Sequence, residues 1–198
     1  LFYLDFIDED VECFRAISTS ASWEPWLKRT IPSDWDATVK RRLVSNLKHT
    51  LAGLEMKAGL IVPQEVARCA GRHSVLFEPY FQVLTFEFCV GTFSVCEGIG
   101  SSLYLSTTGG DAERRVYVSD WKSALVQHFD AKGRACLDEN VGRVKAIRDK
   151  MHQDKLGARE NIDWHEFGYE GAFVPAKRVL ECLLRTNGDR VPSTSNLG

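Results

Sequence analysis

An all-α, single-domain helical bundle is the fold class predicted for this 198-residue chain. Three observations predict it. Residues 33–60 carry a sustained helical stripe of Val39, Leu43, Leu47, Leu51, Leu54 and Ala58, and a second stripe of Leu137, Val141, Val144, Ile147 and Met151 recurs near the other end. Residues 79–105 are apolar around most of a helical wheel, as expected of a central buried helix. Strict alternation of apolar and polar residues is suggested only at 115–118, so strands are not expected to build the core. About four or five main helices wrapped around residues 79–105 are the simplest arrangement.

The elements run in order along the chain. Residues 1–7, apolar and aromatic apart from Asp5, read as a short strand or an extended arm. Residues 8–18 read as a first helix, with acids in the first turn and Val11, Phe14 and Ile17 spaced for one face. Trp23, Pro25 and Trp26 mark residues 20–32 as a loop whose rings anchor it to the body. The long helix over 33–60 is expected to start at a Ser33 cap and stop at Gly59. A short helix at 63–69 precedes the apolar element, where Gly91, Gly98 and Gly100 would let neighbouring helices approach closely. Ser119 would cap a helix bearing Trp121, Leu125 and Phe129, which Gly133 would interrupt. A further helix would start or resume at 138–140 and end at Gly157. Residues 159–171 read as a polar loop holding Trp164, His165 and Tyr169, and residues 175–185 as a last helix with Val179, Cys182 and Leu183 inward. The chain thus divides into an N-terminal arm, helix and Trp-rich loop (1–32), the bundle (33–185) and a flexible tail (186–198).

Composition narrows the function classes. At 44% hydrophobic and 26% charged, with a formal charge of −2, the chain has no global bias toward nucleic acid or membrane. Length would allow residues 79–105 to span a bilayer, but Glu87 and Glu97 would each cost about 2–3 kcal/mol or more near its centre, so no membrane is expected. The six cysteines form no CxxC pair and no signal segment opens the chain, so reduced thiols acting as small hydrophobes in a cytoplasmic protein are expected. Charge is uneven locally: residues 143–159 hold six Lys or Arg against two Asp, while residues 160–170 carry four acids and no Lys or Arg. Such neighbouring blocks either neutralise each other on a solvated surface or form a localised anion site.

Arg148 falls inside the apolar stripe of its helix and His152 lies at its edge, four residues on. A charge on a core-facing seam needs a partner. One explanation is structural, an Arg paired with a buried Glu87 or Glu97 and a His capping the helix end. The other is chemical: the side chains meet at i, i+4, the imidazole exchanges a proton near neutral pH, and the guanidinium grips a phosphate. These are the groups that metal-independent RNA cleavage requires, one for the proton and one for the charge growing on phosphorus. Asp149 would orient either residue, and Arg143, Lys145 and Lys150 would add phosphate contacts. Asp163, His165 and Glu166, with His152 or Asp154, include metal-ligand types, yet no HExxH-like pair supports a site. GxSxG, GxxxxGK[ST] and GxGxxG are absent, and no cofactor or metal is expected.

The string IRDKMHQD resembles the signature of the HEPN superfamily, helical bundles whose late helices carry Arg, a following polar residue and a His. The match places Arg148, Asp149 and His152 in those roles, with fewer residues between Arg and His than the family usually has. The resemblance implies a metal-independent endoribonuclease or RNA-binding protein of a toxin or defence type, a homodimer that brings two motifs together, and an antitoxin-like protein partner. The alternative is a non-catalytic helical module for dimerisation or protein interaction.

Overall fold

The computed structural model describes residues 2–5, 13–16, 18–61, 80–150, 163–184, 195 and 197. The fold is an all-α bundle, preceded by one antiparallel hairpin of β1 (Phe2–Asp5) and β2 (Cys13–Ala16). The register pairs Phe2 with Ala16 and Asp5 with Cys13. A strand therefore occupies part of the stretch expected to be the first helix. Phe14 repeats every third residue with Val11 and Ile17, but cross-strand pairing prevails over that spacing.

Six α-helices follow among the described residues: α1 (Ser20–Thr30), α2 (Ala37–Leu60), α3 (Tyr80–Thr108), α4 (Val118–Gln127), α5 (Ala131–Asp149) and α6 (Val174–Leu184). Helix α1 replaces the expected Trp-rich loop. Trp23, Trp26 and Leu27 fall at i, i+3 and i+4, and all three are buried on one face. Pro25 points to solvent on the opposite side, so burial of the two rings outweighs the backbone hydrogen bond it removes. The end of α1 is held by Lys40, whose Nζ donates to the Ile31 carbonyl at 3.0 Å.

Helix α2 begins later than a Ser33 cap would give. Asp36 Oδ1 accepts from the backbone N–H groups of Thr38 at 2.9 Å and Val39 at 3.1 Å, satisfying two donors that the first turn leaves open. Val44, Leu47, Leu51 and Leu54 bury its inner face, and the helix runs through Gly59 to Leu60. The short helix expected at 63–69 lies outside the described residues.

Helix α3 is the centre of the bundle and packs against α2, α4, α5 and α6. It is long and apolar enough to cross a membrane by length and composition alone, and half of its apolar window is buried inside the protein. Its glycines act as close-approach points. A Cβ on Gly91 would lie 2.9 Å from Leu54 Cδ2, one on Gly98 2.9 Å from Leu47 Cδ2, and one on Gly100 2.6 Å from the Trp121 carbonyl oxygen. The first two contacts seat α3 on the leucine face of α2, and Lys57 bridges to Glu87 at 3.4 Å along the same seam. The third lets α4 lie close enough for Trp121 to stand edge-on to Phe93, with ring centroids 5.3 Å apart. Gly109, at φ +62°, ends α3 in the left-handed conformation that favours glycine.

Helix α4 starts from Tyr117 rather than a Ser119 cap, and residues 115–117 are irregular chain. Trp121, Leu125 and Phe129 are buried as their spacing predicts. Asp130 then caps α5 by accepting from Gly133 N–H at 2.8 Å, so Gly133 sits in a first turn and residues 138–140 fall mid-helix. Lys122 ties α4 to α5 through the Asp138 carboxylate at 2.8 Å.

The expected polar loop at 159–171 is more ordered where it is described. A 3₁₀ turn (Trp164–Phe167) and a π turn (Tyr169–Phe173) lead directly into α6. Phe167, Ala172 and Phe173 are buried and clamp both turns onto α3. In α6, Val179 and Leu183 are buried and Cys182 is half-buried. Of the expected tail, Ser195 and Leu197 are described, and Leu197 is buried in the core.

The cysteines whose side chains are described divide into two kinds. Cys89 and Cys96 are the buried small hydrophobes that were expected, and burial pushes the Cys89 thiol up to about 12 and raises that of Cys96 as well. Cys136 of α5 and Cys182 of α6 are instead joined by a disulfide, with their Cα atoms 6.7 Å apart. The expectation that all thiols are reduced is therefore corrected for this pair. Packing of α5 on α6 brings together two residues that no sequence motif connects.

Candidate functional site

Arg148 stands in the last turn of α5, where a cation complements the negative end of the helix dipole. Leu137, Val141, Val144 and Ile147 bury the stripe beside it. The charge itself stays at the margin, with 31% of the side chain exposed. Two contacts orient it. Nη1 donates to Asp149 Oδ1 at 2.8 Å, and the guanidinium carbon lies 4.9 Å from the centroid of the Phe93 ring on α3. Neither Glu87 nor Glu97 is its partner: Glu87 pairs with Lys57, and the carboxylate beside Arg148 is the adjacent one.

Asp149 also accepts from Lys145, one turn earlier on the same helix. Burial acts to raise the Asp149 carboxyl, but the hydrogen bonds and charges of Lys145 and Arg148 together outweigh it and hold the group below the usual carboxylate range. Lys150 pairs with Glu166 of the 3₁₀ turn, and its Nζ lies 6.0 Å from the Phe167 centroid. Arg143 is exposed on another part of α5 and pairs with Glu139 at 3.0 Å. The structure thus gathers Lys145, Arg148, Asp149 and Lys150 at the end of α5 and leaves Arg143 apart. His152 and Asp154 lie outside the described residues.

Four cations here, Arg143, Lys145, Arg148 and Lys150, face three carboxylates, Glu139, Asp149 and Glu166, so the described part of the basic block is nearly neutralised. Among the described residues no group of three His, Cys, Asp or Glu converges as a metal site. The aromatic floor was not singled out as part of a site by sequence reading. Phe86 and Phe93 are seven residues apart on α3 and so share a face about 10 Å in extent. Phe93 carries Arg148, whereas Phe86 packs against Phe167 at 5.4 Å and Trp164 at 6.4 Å. The seven-residue spacing of the two phenylalanines was the available signal, but in a helix apolar on nearly every side it does not stand out.

No family model, curated protein or solved structure matches the chain.

Ion pairing at the surface of the bundle predicts a modest acid response. Lys28 and Lys48, through hydrogen bonds and charge, lower the Glu24 carboxyl from 4.5 to about 2. A carboxyl depressed in the folded state contributes stability above its unfolded value and loses it as pH falls through the folded value. Urea midpoints measured between pH 6 and pH 2 should therefore hold near neutrality and decline below about 4.5, through the range in which Glu24 and Asp149 are depressed. Glu24→Gln should shallow that decline. A midpoint that rises on acidification would contradict these pairings.

Proposed function

We propose that this protein is a HEPN-like, RNA-handling helical domain in which Arg148 holds an RNA phosphate and His152 exchanges the proton, so that cleavage proceeds without a metal. The observation that supports it most is the posture of Arg148. Asp149 and Phe93 fix its orientation, about a third of the side chain remains exposed, and the bond to Asp149 engages Nη1 alone of its guanidinium nitrogens. An oriented cation with a fork of donors suits a phosphate whose charge grows during reaction. In the cleavage step the 2′-oxygen attacks phosphorus as the bond to the 5′-oxygen breaks; His152 takes the 2′-hydroxyl proton, and the leaving 5′-oxygen takes a proton from solvent. Asp149 positions Arg148, and Lys145 and Lys150 add positive charge nearby. The reading includes a homodimer that pairs two such sites, with an antitoxin-like protein as regulator.

The experiment is RNA cleavage in the presence of chelator by wild type, His152→Ala and Arg148→Ala. Wild type should cut, and each variant should lose about 100-fold or more of the rate. Equal rates in wild type and His152→Ala, or no cleavage by wild type, would reject catalysis.

A second reading, a non-catalytic dimerisation or interaction module, is favoured by the matching of cations to carboxylates around α5. There Arg148 serves packing and pairing, and Arg148→Ala should lower stability without any effect on RNA. If Arg148 is instead a binding residue, the same variant should lose RNA affinity in addition to the stability, about 0.5–2 kcal/mol, of its seat on Phe93.

A further inference from the structure

The 3₁₀ turn at Trp164–Phe167 brings a second set of groups to the end of α5. Trp164 meets Phe167 edge-on at 5.2 Å and Phe86 at 6.4 Å, yet it is only half-buried, unlike the fully buried Trp23, Trp26 and Trp121. Its neighbours His165 and Glu166 are exposed. Lys150 joins the two elements through Glu166 and the Phe167 ring, and Arg148 stands two residues back on its own ring, Phe93. Cationic groups and aromatic rings thus alternate along one edge of α3: Arg148 with Phe93 at one station, Lys150 with Phe167 and Trp164 at the next. About 10 Å of helix separates Phe86 from Phe93, the two rings of α3 that support these stations.

We infer that Trp164 is a base-stacking platform for single-stranded RNA, with a phosphate beside the stacked base taken by Lys150 and a further phosphate along the strand taken by Arg148. This rests on the RNA-handling reading above and adds to it the kind of RNA and a further residue. The physical reasons are general. A paired duplex keeps its bases inside the stack, whereas a single strand presents a base face to an indole and a phosphate to a cation. Stacking is tolerant of sequence because each base has a π face, so the site would select strandedness rather than a motif. The Glu166 carboxylate covers Lys150 in the absence of ligand and would exchange places with a phosphate; with two phosphates held, log affinity should fall with log salt at a slope of only about −1.4.

The test uses the full chain and a labelled 2′-O-methyl single strand of about twelve nucleotides, which cannot be cut through its 2′-oxygen, alongside a duplex of equal length. Binding is followed by anisotropy and by quenching of tryptophan emission. Wild type should bind the single strand more tightly than the duplex, and Trp164→Leu should weaken binding about 5- to 150-fold, as loss of one stacked base would give. Trp164→Phe should retain most of the affinity but lose the quenching, and this conservative variant keeps the question open to measurement if the leucine variant folds poorly. A Trp164→Leu protein that binds like wild type while Arg148→Ala does not would overturn the stacking role alone. Equal affinity for the duplex, or quenching retained in Trp164→Phe, would do the same. Absence of binding by wild type to either RNA would overturn both this inference and the RNA-handling reading.

Discussion

Reduction of the Cys136–Cys182 bond is expected to lower the free energy of unfolding by about 4 kcal/mol, the chain-entropy value for a loop of 46 residues. The loop includes the C-terminal half of α5, with Arg148, and both turns before α6. Opening it leaves α5 and α6 held by noncovalent packing, with Leu137, Val141, Val179 and Leu183 all buried in the shared core. Urea unfolding with and without reductant measures the difference, and Cys182→Ser should reproduce the reduced midpoint while ignoring further reductant. A wild-type midpoint indifferent to reductant would show that the bond does not hold the bundle.

Phe93→Ala should be about as damaging, costing about 3–5 kcal/mol. The ring is 2% exposed, so its removal leaves a cavity in the core rather than a dent in the surface. It also has two partners that leucine or alanine cannot replace in kind: the edge of Trp121 at 5.3 Å and the Arg148 guanidinium at 4.9 Å. Phe93→Leu separates these roles. Most of the apolar volume stays, so the stability loss should be well below that of alanine, while the cation–π seat, worth about 0.5–2 kcal/mol, is gone. Thermal melts of both variants, set beside their RNA binding, distinguish a ring that only fills space from one that also aims Arg148. Melting of Phe93→Ala at the wild-type temperature would sink the packing argument.

How far the sequence could be read depended on whether a feature is local. The stripe of α5 and the all-round apolar surface of α3 depend on helical periodicity, and both were legible. In the N-terminal region the strand within residues 1–7 was legible, whereas residues 8–18 and 20–32 were not, for physical reasons. Pro25 is a strong local signal against helix, but it says nothing of the core that accepts Trp23 and Trp26, and burial of those rings decided α1. Phe14 fits a helical spacing with its neighbours, while its strand forms by pairing with Phe2–Asp5, outside the stretch in which that spacing is counted. The disulfide depends on the register of α5 against α6, which 46 residues of separation conceal. At the candidate site, Arg148 stood out as a charge in an apolar stripe. Its seat on Phe93, its pairing with Asp149 in place of a distant glutamate, and the approach of Trp164 and Phe167 all depend on which helices pack together.

The central position of α3 also bears on how the protein fails. A helix of 29 residues with few charges has much of its surface covered here by α2, α4, α5 and α6. Any excursion that lifts those helices away presents a long sticky surface in a single step, with its glycine-notched sides open to another copy of itself. Heat inactivation would then be governed less by the depth of the native well than by the rate at which the bundle opens, since opened chains would be lost to association before they could close.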